Sequence, residues 1–182
     1  MKDGSVAKRY ATALIKVAQD TNKVEPYLEQ LEDLKLHIFG HEEMKRLIVS
    51  PHIPHSQKKA ILLFFVEKLK LDNSMLNFLN LLIDNDRMET LPMIALLYRD
   101  RADELLGRVR VQVQSAAPLG EMQAKLQAAL ERALKLKVIL EAQVKPDLLG
   151  GFIVRVRDQV LDASLKRELE QLKQAIEAKA VA

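Results

Sequence analysis

The spacing of apolar residues changes once along this chain of 182 residues, at Gly107, and the change separates two kinds of structure. Before Gly107 the apolar residues recur every three to four positions, which is the period of an amphipathic helix. Immediately after it Val109, Val111 and Val113 alternate with polar residues, which is the period of a half-buried strand. The sequence therefore predicts a mainly α protein, with a helical bundle in residues 1–106 and a small α/β domain in residues 107–182.

Six short helices are predicted in the helical half, and the loops between them are short enough for a compact bundle. Ser5 is a candidate N-cap for the first helix, and Pro26 suits the first turn of the second. Gly40 ends the second helix, and Ser50 with Pro51 ends the third. The predicted helices span residues 5–20, 26–40, 41–49, 54–69, 74–85 and 87–106.

The first and fifth predicted helices carry more apolar surface than packing on one side requires. The first has an apolar face along Val6, Tyr10 and Val17, with Ala13 or Leu14 between them. A second face of this helix consists of Ala7, Ala11, Leu14 and Ala18. Its small side chains let another helix approach closely, and the fifth helix is apolar nearly all round. Each helix is therefore either enclosed within the domain or shared with a partner chain.

The half after Gly107 is predicted to alternate strands and helices in a small α/β unit. The Gly150-Gly151 pair marks a loop before the third strand. A tight turn is predicted at residues 157–158, and a closing helix is predicted to begin at Asp162 or Ser164. The other predicted elements are strands at 109–114, 138–144 and 152–156 and a helix at 122–134.

The composition excludes several kinds of chemistry. The chain has no cysteine, so disulfides, zinc–cysteine modules, iron–sulfur sites and cysteine nucleophiles are all excluded. None of its 6 glycines precedes Lys-Ser or Lys-Thr, as a phosphate-binding loop requires, and the Gly-x-Ser-x-Gly nucleophile motif is absent from the sequence. The sequence therefore predicts a protein that is not an enzyme and holds no cofactor.

All 4 histidines fall between His37 and His55, which raises the question of a metal site. Gly40 interrupts the helix that would present His37 and His41 together, and His41 does not begin a two-histidine zinc motif. We therefore expect exposed loop histidines and no bound metal. Acidic residues at helix ends, such as Asp84, are expected to cap helices or face solvent.

Charge is distributed unevenly along the chain, whose formal net charge is +3. Residues 1–106 hold 15 basic and 16 acidic residues, whereas residues 107–182 hold 13 basic and 9 acidic residues. A basic nucleic-acid-binding adaptor is therefore an alternative function. It is disfavoured because the basic half offers only one aromatic residue, Phe152, for stacking on bases.

The sequence does not predict insertion into a membrane. No stretch without a charge is longer than Asn73 to Ile83, which is far shorter than the ~20 residues that cross a bilayer. The N-terminal residues carry Asp3 and lack an apolar run of the signal-peptide kind. We therefore expect the protein to stay in the compartment where it is made.

Five sequence motifs occur in the order and with the spacing of those in a known family. They are AKRYATAL at residues 7–14, SPHIPHSQKK at 50–59, NFLNLLIDNDRMETLPMI at 77–94, VQSAAPL at 113–119 and LLGGFIVRVRDQVLDASLKRELEQL at 148–172. In these motifs the chain resembles the delta subunits of bacterial ATP synthases, which are related to the mitochondrial oligomycin-sensitivity-conferring protein.

The resemblance implies a stator subunit that catalyses no reaction and binds no cofactor. In that family the N-terminal bundle sits on top of the catalytic head, and the C-terminal domain holds the b subunits of the peripheral stalk. The subunit thereby keeps the alpha/beta hexamer from turning with the rotor, so that ion-driven rotation is coupled to ATP synthesis. The resemblance also implies a peripheral location on the cytoplasmic side of the inner membrane.

Two sets of site residues follow from the resemblance. The family has a groove for the N-terminal helix of an alpha subunit between helices 1 and 5, and interior packing is the alternative role for each position in it. The positions indicated for this groove are Ala7, Ala11, Leu14, Ala18, Leu76, Leu79, Asn80 and Ile83. In the C-terminal domain the matched residues, whose main implied role is to shape that domain, are Gly150, Gly151, Phe152, Val154, Asp162 and Ser164. The sequence departs from the family pattern at Lys145, Arg157 and Ala163.

Overall fold

The computed structural model describes residues 2–148, 150–156, 159–165, 167 and 169. This part of the chain is mainly helical and carries one four-stranded sheet in its second half. The change of apolar period at Gly107 predicts this division between helix and sheet. The chain divides into two compact units, Met1–Ala102 and Asp103–Ala182, and the division falls a few residues before the predicted boundary at residue 106.

The helices before the sheet begin and end near their predicted positions, with two exceptions. α1 begins at Lys2, so Ser5 lies inside the helix and does not cap it, because an N-cap residue has a non-helical backbone. A 3₁₀ turn precedes α6, whose first turn accommodates Pro92 because no backbone N–H is needed there. The elements are α1 (Lys2–Asp20), α2 (Val24–Phe39), α3 (Glu42–Val49), α4 (His55–Leu69), α5 (Asn73–Asp84), the 3₁₀ turn (Met88–Thr90) and α6 (Leu91–Leu105).

Two tyrosines lie fully buried in the core that these helices form. The Tyr98 hydroxyl donates a hydrogen bond to the carbonyl oxygen of Val24 at 3.0 Å, and the Tyr27 hydroxyl donates to Oδ2 of Asp72 at 2.9 Å. Burial raises the pKa of Tyr98, with a smaller contribution from nearby Tyr27. Both polar ends of these large side chains are therefore satisfied, as a buried hydroxyl requires.

Asp72 joins the start of α5 to the start of α2. Its Oδ1 accepts a hydrogen bond from the Met75 N–H at 2.9 Å, which caps α5. Its Oδ2 accepts hydrogen bonds from the Tyr27 hydroxyl and from the Lys23 ammonium, the latter at 2.8 Å. Partial burial alone would raise the pKa of Asp72, but these hydrogen bonds to the ionised carboxylate outweigh burial and hold the pKa below its ordinary value.

We expect Asp72→Ala to lower the free energy of unfolding by about 2–4 kcal/mol, because it removes a helix cap and leaves the buried Tyr27 hydroxyl without its acceptor. Since folding lowers the pKa of Asp72, the contribution of its charge is complete above the ordinary value of 3.8 and is lost as the pH falls through the folded value. Urea denaturation of wild type and variant, near neutral pH and below about pH 3, measures both effects. The stability difference should shrink in acid, and an undiminished difference would show that the charge is not involved.

The second unit is built on a parallel β-α-β segment. It comprises β1 (Arg108–Ser115), α7 (Met122–Leu134) and β2 (Lys137–Val144). Val109, Val111 and Val113 of β1 are buried, as their alternation predicts, and α7 packs Leu126 and Leu130 against this apolar cluster. Two antiparallel strands, β3 (Gly151–Val156) and β4 (Gln159–Ser164), complete a sheet of order β2-β1-β3-β4.

The closing helix starts one residue after Ser164, the later of its two predicted starts, and Asp162 is excluded as the start. Both residues belong to β4, which stays paired with β3 as far as the Gly151–Ser164 pair, and helical conformation appears only from Leu165. The antiparallel pairing with β3 therefore keeps both residues in the strand, which ends at Ser164. The predicted turn at 157–158 and the predicted helical positions 172 and 176 lie outside the described residues.

Candidate functional site

The alanine-rich face of α1 lies in the core of the first unit. The exposed fractions of its members are Ala7 0%, Ala11 3%, Leu14 2% and Ala18 0%. Side chains that are at most 3% exposed cannot line an open groove. Interior packing, the alternative role for these positions, therefore describes all four in this structure.

The indicated positions on α5 do not face an open surface beside α1 either. Leu79 and Ile83 are buried in the core. Leu76 and Asn80 are half-buried, but each lies about 160° around the helix from Phe78, the α5 residue whose ring contacts α1. The structure thus separates these four residues from the accessible side of α1.

The other predicted apolar face of α1 does remain accessible. Val6 and Tyr10 are half-buried, whereas Ala13 and Val17 are exposed. The ring of Tyr10 meets the ring of Phe78 edge to face, with 6.2 Å between the ring centroids. This contact places the accessible face of α1 directly beside α5.

Leu81 continues this apolar face onto α5. It lies about 60° around the helix from Phe78, and its side chain is 49% exposed. We define the α1–α5 surface as Val6, Tyr10, Ala13, Val17 and Leu81. Sequence periodicity identified the four α1 members but not Leu81, because α5 is apolar on nearly every side and only the position of α1 distinguishes one side from another.

The geometry of the α1–α5 surface suits a second helix laid along α1. Its four α1 members follow spacings of four, three and four residues, which is the spacing of a helix-packing stripe. The stripe is apolar, and the exposed cations Arg9 and Lys16 lie along its border at about 60–100° of helical rotation. The arrangement can therefore bind an amphipathic helix by apolar contact.

The glycines of the C-terminal motif permit close packing of β3 against β4. Gly151 has a φ of +79°, and a Cβ there would lie 2.2 Å from the carbonyl oxygen of Ala163. A Cβ on Gly150 would lie 2.5 Å from Cδ1 of Leu165. Any larger residue at either position would force these neighbours to move.

The remaining motif residues also make contacts within the second unit. Val154 is buried, and Phe152 packs against the same apolar cluster. The Ser164 N–H donates to Oδ1 of Asp162 at 3.0 Å, and the hydrogen bonds from the Ser164 hydroxyl and N–H lower the pKa of Asp162. The Arg167 N–H donates to the Ser164 hydroxyl oxygen at 3.4 Å. The implied role of this motif in shaping the domain is consistent with these contacts.

Part of the basic surplus after Gly107 is used inside the second unit. The buried carboxylate of Asp103 accepts from Nε of Arg108 at 2.6 Å and from Nε of Arg110 at 2.7 Å. Arg110 also contacts Oε1 of Glu141 at 3.2 Å. These guanidinium groups are held by carboxylates, which weakens the argument for a nucleic-acid surface on this strand.

His41 and His52 are exposed and lie outside the helices, as expected, whereas His37 and His55 lie within helices. His37 lies within α2, and its Nδ1 is 2.8 Å from the Asp33 carbonyl oxygen. His55 begins α4, and its Nε2 is 3.0 Å from Oδ1 of Asp86. One turn further along α4, the Lys59 ammonium lies 2.6 Å from Oδ1 of Asp84. Within the described residues, no group of three or more His, Asp or Glu side chains is arranged to hold a metal ion.

No helix in the described part of the chain has the length and apolar character needed to span a bilayer.

Comparison with known proteins identifies the family. The model of the ATP synthase delta (OSCP) subunit family matches residues 6–176. The ATP synthase subunit delta of Anaeromyxobacter sp. (strain Fw109-5) is 37% identical over 174 residues, covering 95% of this chain and 97% of that protein. The ATP synthase subunit delta of Myxococcus xanthus (strain DK1622) is 34% identical over 179 residues, covering 97% of this chain and 98% of that protein.

The fold agrees with this match. A chain in the cryo-EM structure of the Toxoplasma gondii mitochondrial ATP synthase hexamer superposes with a TM-score of 0.70 at 26% identity. The superposition covers 93% of this chain and 96% of that chain. Sequence and fold thus agree over nearly the whole length, and the chain belongs to the ATP synthase delta (OSCP) subunit family.

Proposed function

We propose that this chain is the non-catalytic stator subunit that links the catalytic head of a rotary ATP synthase to its peripheral stalk. Its membership of the delta family, over almost its entire length, is the observation that carries this proposal. In a rotary machine the alpha/beta head has to be held against the torque of the rotor. This chain performs that mechanical task and catalyses no bond change itself.

The α1–α5 surface is the proposed binding site for the N-terminal helix of an alpha subunit. Its support is an apolar stripe of helical spacing whose members are half-buried or exposed, continued by Leu81 at the side of α5. A joint that resists torque needs nanomolar affinity or better, about −12 kcal/mol. A helix in a groove reaches that value only when the groove is already formed, and the surrounding α1 and α5 residues are packed in the core.

The second unit is proposed to hold the b subunits of the peripheral stalk, and through them the chain would be located at the cytoplasmic side of the inner membrane. The support is again family membership. This arrangement needs no apolar helix in the chain itself, because the stalk supplies the connection to the membrane. The stator function therefore divides between the two units, with the head bound by the first and the stalk by the second.

Reconstitution of the ATP synthase with and without this chain tests the function. Complexes that lack the chain should still hydrolyse ATP in the head, but hydrolysis should not drive ion transport across the vesicle membrane. Adding the wild-type chain should restore coupled transport. Full coupling in complexes shown by gel analysis to lack the chain would refute the proposal.

A further inference from the structure

Two exposed cations form a row along the outer border of the α1–α5 surface. Arg9 and Lys16 are seven residues apart, so they differ by only about 20° of helical rotation and lie about 10 Å apart along α1. Ala13, within the apolar stripe, lies about 40–60° around the helix from both. We call Arg9 and Lys16 the basic row. It runs parallel to the stripe, and its long side chains can reach a helix that packs there.

The basic row is not used in ion pairs within the first unit. Among the described residues, no carboxylate lies within ion-pair distance of Arg9 or Lys16. Asp20 is the one acidic residue among residues 4–20 of α1, and it lies one turn beyond Lys16 but about 16 Å along the helix from Arg9. Exposed charges are largely screened beyond about 8 Å at physiological ionic strength. Asp20 therefore offsets part of the charge of Lys16 and does not offset that of Arg9.

The α5 side of the surface, as far as the structure describes it, carries no comparable charge. Asn77, which lies about 40° further around α5 than Leu81, is exposed and uncharged. Asp84 lies about 20° beyond Asn77, but its Oδ1 is 2.6 Å from the Lys59 ammonium, so its charge is already paired. The two sides of the α1–α5 surface therefore differ, because the α1 side is basic and the α5 side is neutral.

A helix bound on this surface would meet the difference in charge along its length. Its apolar residues would cover the stripe, and one of its flanks would lie beside the basic row. Since both helices have the same repeat, residues seven positions apart on the bound helix have the same spacing as Arg9 and Lys16. Acidic residues on that flank would be attracted by the basic row, whereas basic residues would be repelled.

Charges at the rim of an interface act mainly on the rate of association and on its dependence on salt. They remain partly solvated in the complex, so they contribute less than buried contacts to holding it together. Arg9 and Lys16 are both exposed and border the stripe, which makes them rim residues of the α1–α5 surface. Their main effect should therefore be on how fast a helix binds and on which of its flanks lies beside α1.

We propose that the α1–α5 surface selects a helix with acidic residues along the flank that lies beside the basic row. This selection rests on the proposed function, in which the bound helix is the N-terminal helix of an alpha subunit, and it adds the charge pattern by which that helix is recognised. Arg9 and Lys16 attract the acidic flank and set the orientation of the helix about its own axis, and apolar contact with the stripe then holds it in place.

Association kinetics of the full-length chain test the proposal, with a synthetic peptide of the alpha-subunit N-terminus as the probe. Arg9→Glu should slow association at least about fivefold at low salt, and the difference from wild type should shrink as the salt concentration rises. Lys8→Glu is the matched control, because it makes the same change of charge at an exposed residue about 100° further from the stripe. The control should stay within about twofold of wild type. Equal effects of the two substitutions, or an association rate that Arg9→Glu leaves unchanged, would overturn the proposal.

An exchange of charge between the two partners is the second test. Lysine in place of the acidic residues on the peptide flank should slow association with the wild-type chain at least about fivefold at low salt, and Arg9→Glu with Lys16→Glu should restore it. Equal rates for the two peptides with either chain would contradict selection by the basic row, but the proposed head contact would stand because the peptide still binds. Failure of the wild-type chain to bind the unaltered peptide would instead refute the head contact, and the charge selection with it.

Discussion

Ala18→Glu is expected to unfold the first unit, lowering its free energy of unfolding by about 5 kcal/mol. Ala18 has no accessible surface, so the substitution would place a carboxylate in a packed apolar core. Burying an ionisable group without a partner lowers the stability of the fold by several kcal/mol. Fitting the larger glutamate side chain into the packed core lowers it by about 1–3 kcal/mol more. Since the total stability of a domain is about 5–15 kcal/mol, a large fraction of the molecules should be unfolded in this unit.

Ala13→Glu is the matched control for this effect. It introduces the same side chain on the same helix, at an exposed position, and glutamate is nearly as favourable as alanine in a helix. Circular dichroism during thermal unfolding should show a midpoint about 20 °C or more lower for Ala18→Glu and a change of only a few degrees for Ala13→Glu. Similar midpoints for the two variants would mean that the structure assigns the wrong face of α1 to the core.

Ala13→Glu is expected instead to abolish binding of the alpha-subunit helix, with a loss of about 100-fold or more in affinity. Ala13 is central in the α1–α5 surface, where a bound helix would exclude water from it. Removing water from a carboxylate at that position would cost about 3 kcal/mol, even with Arg9 and Lys16 one turn away, and this is two factors of ten in affinity. Isothermal titration with a synthetic peptide of the alpha-subunit N-terminus measures this loss.

Thr12→Glu is the control for the binding experiment. Thr12 is exposed but lies about 100° around α1 from Ala13, away from both the core and the α1–α5 surface. This variant should bind the peptide within about threefold of wild type, because its charge remains in solvent. Equal losses in the two variants would indicate a general effect of negative charge on α1 rather than contact at the proposed surface.

Local patterns in the sequence are sufficient to predict much of this fold. β1 is predictable because Val109, Val111 and Val113 share one buried side of a strand, which produces a period of two in the sequence. The cap of α5 is predictable for a similar reason, since Asp72 bonds a backbone N–H only three residues ahead. Each of these interactions depends on residues that are close in the chain.

The inward face of α1 is not predictable in this way. Periodicity shows that α1 has two apolar faces, but the choice between them depends on helices distant in sequence. Small side chains such as Ala7 and Ala18 let those helices approach closely, whereas Tyr10 reaches Phe78 from the edge of the core. The alanine-rich positions implied by family resemblance therefore lie in the interior, and the accessible surface follows from the position of α5.

The end of β4 shows the same limit. Asp162 and Ser164 are residue types that favour the start of a helix, and the Ser164 hydroxyl does accept a hydrogen bond from the N–H of Arg167. Pairing with β3 nevertheless keeps both residues in the strand, because Gly151 allows the two backbones to approach closely. The contact responsible lies more than ten residues away, so the local sequence pattern does not contain it.

Site-directed crosslinking in the assembled ATP synthase tests the proposed head contact most directly. The chain has no cysteine, so Ala13→Cys and Thr12→Cys each introduce a unique thiol for a short photoactivated maleimide. The Ala13→Cys variant is expected to crosslink to the N-terminal segment of an alpha subunit, identified by mass spectrometry, while Thr12→Cys gives little product. Absence of an alpha-subunit crosslink from Ala13→Cys in a coupled, intact complex, or an equal yield from Thr12→Cys, would contradict binding of the alpha subunit at the α1–α5 surface.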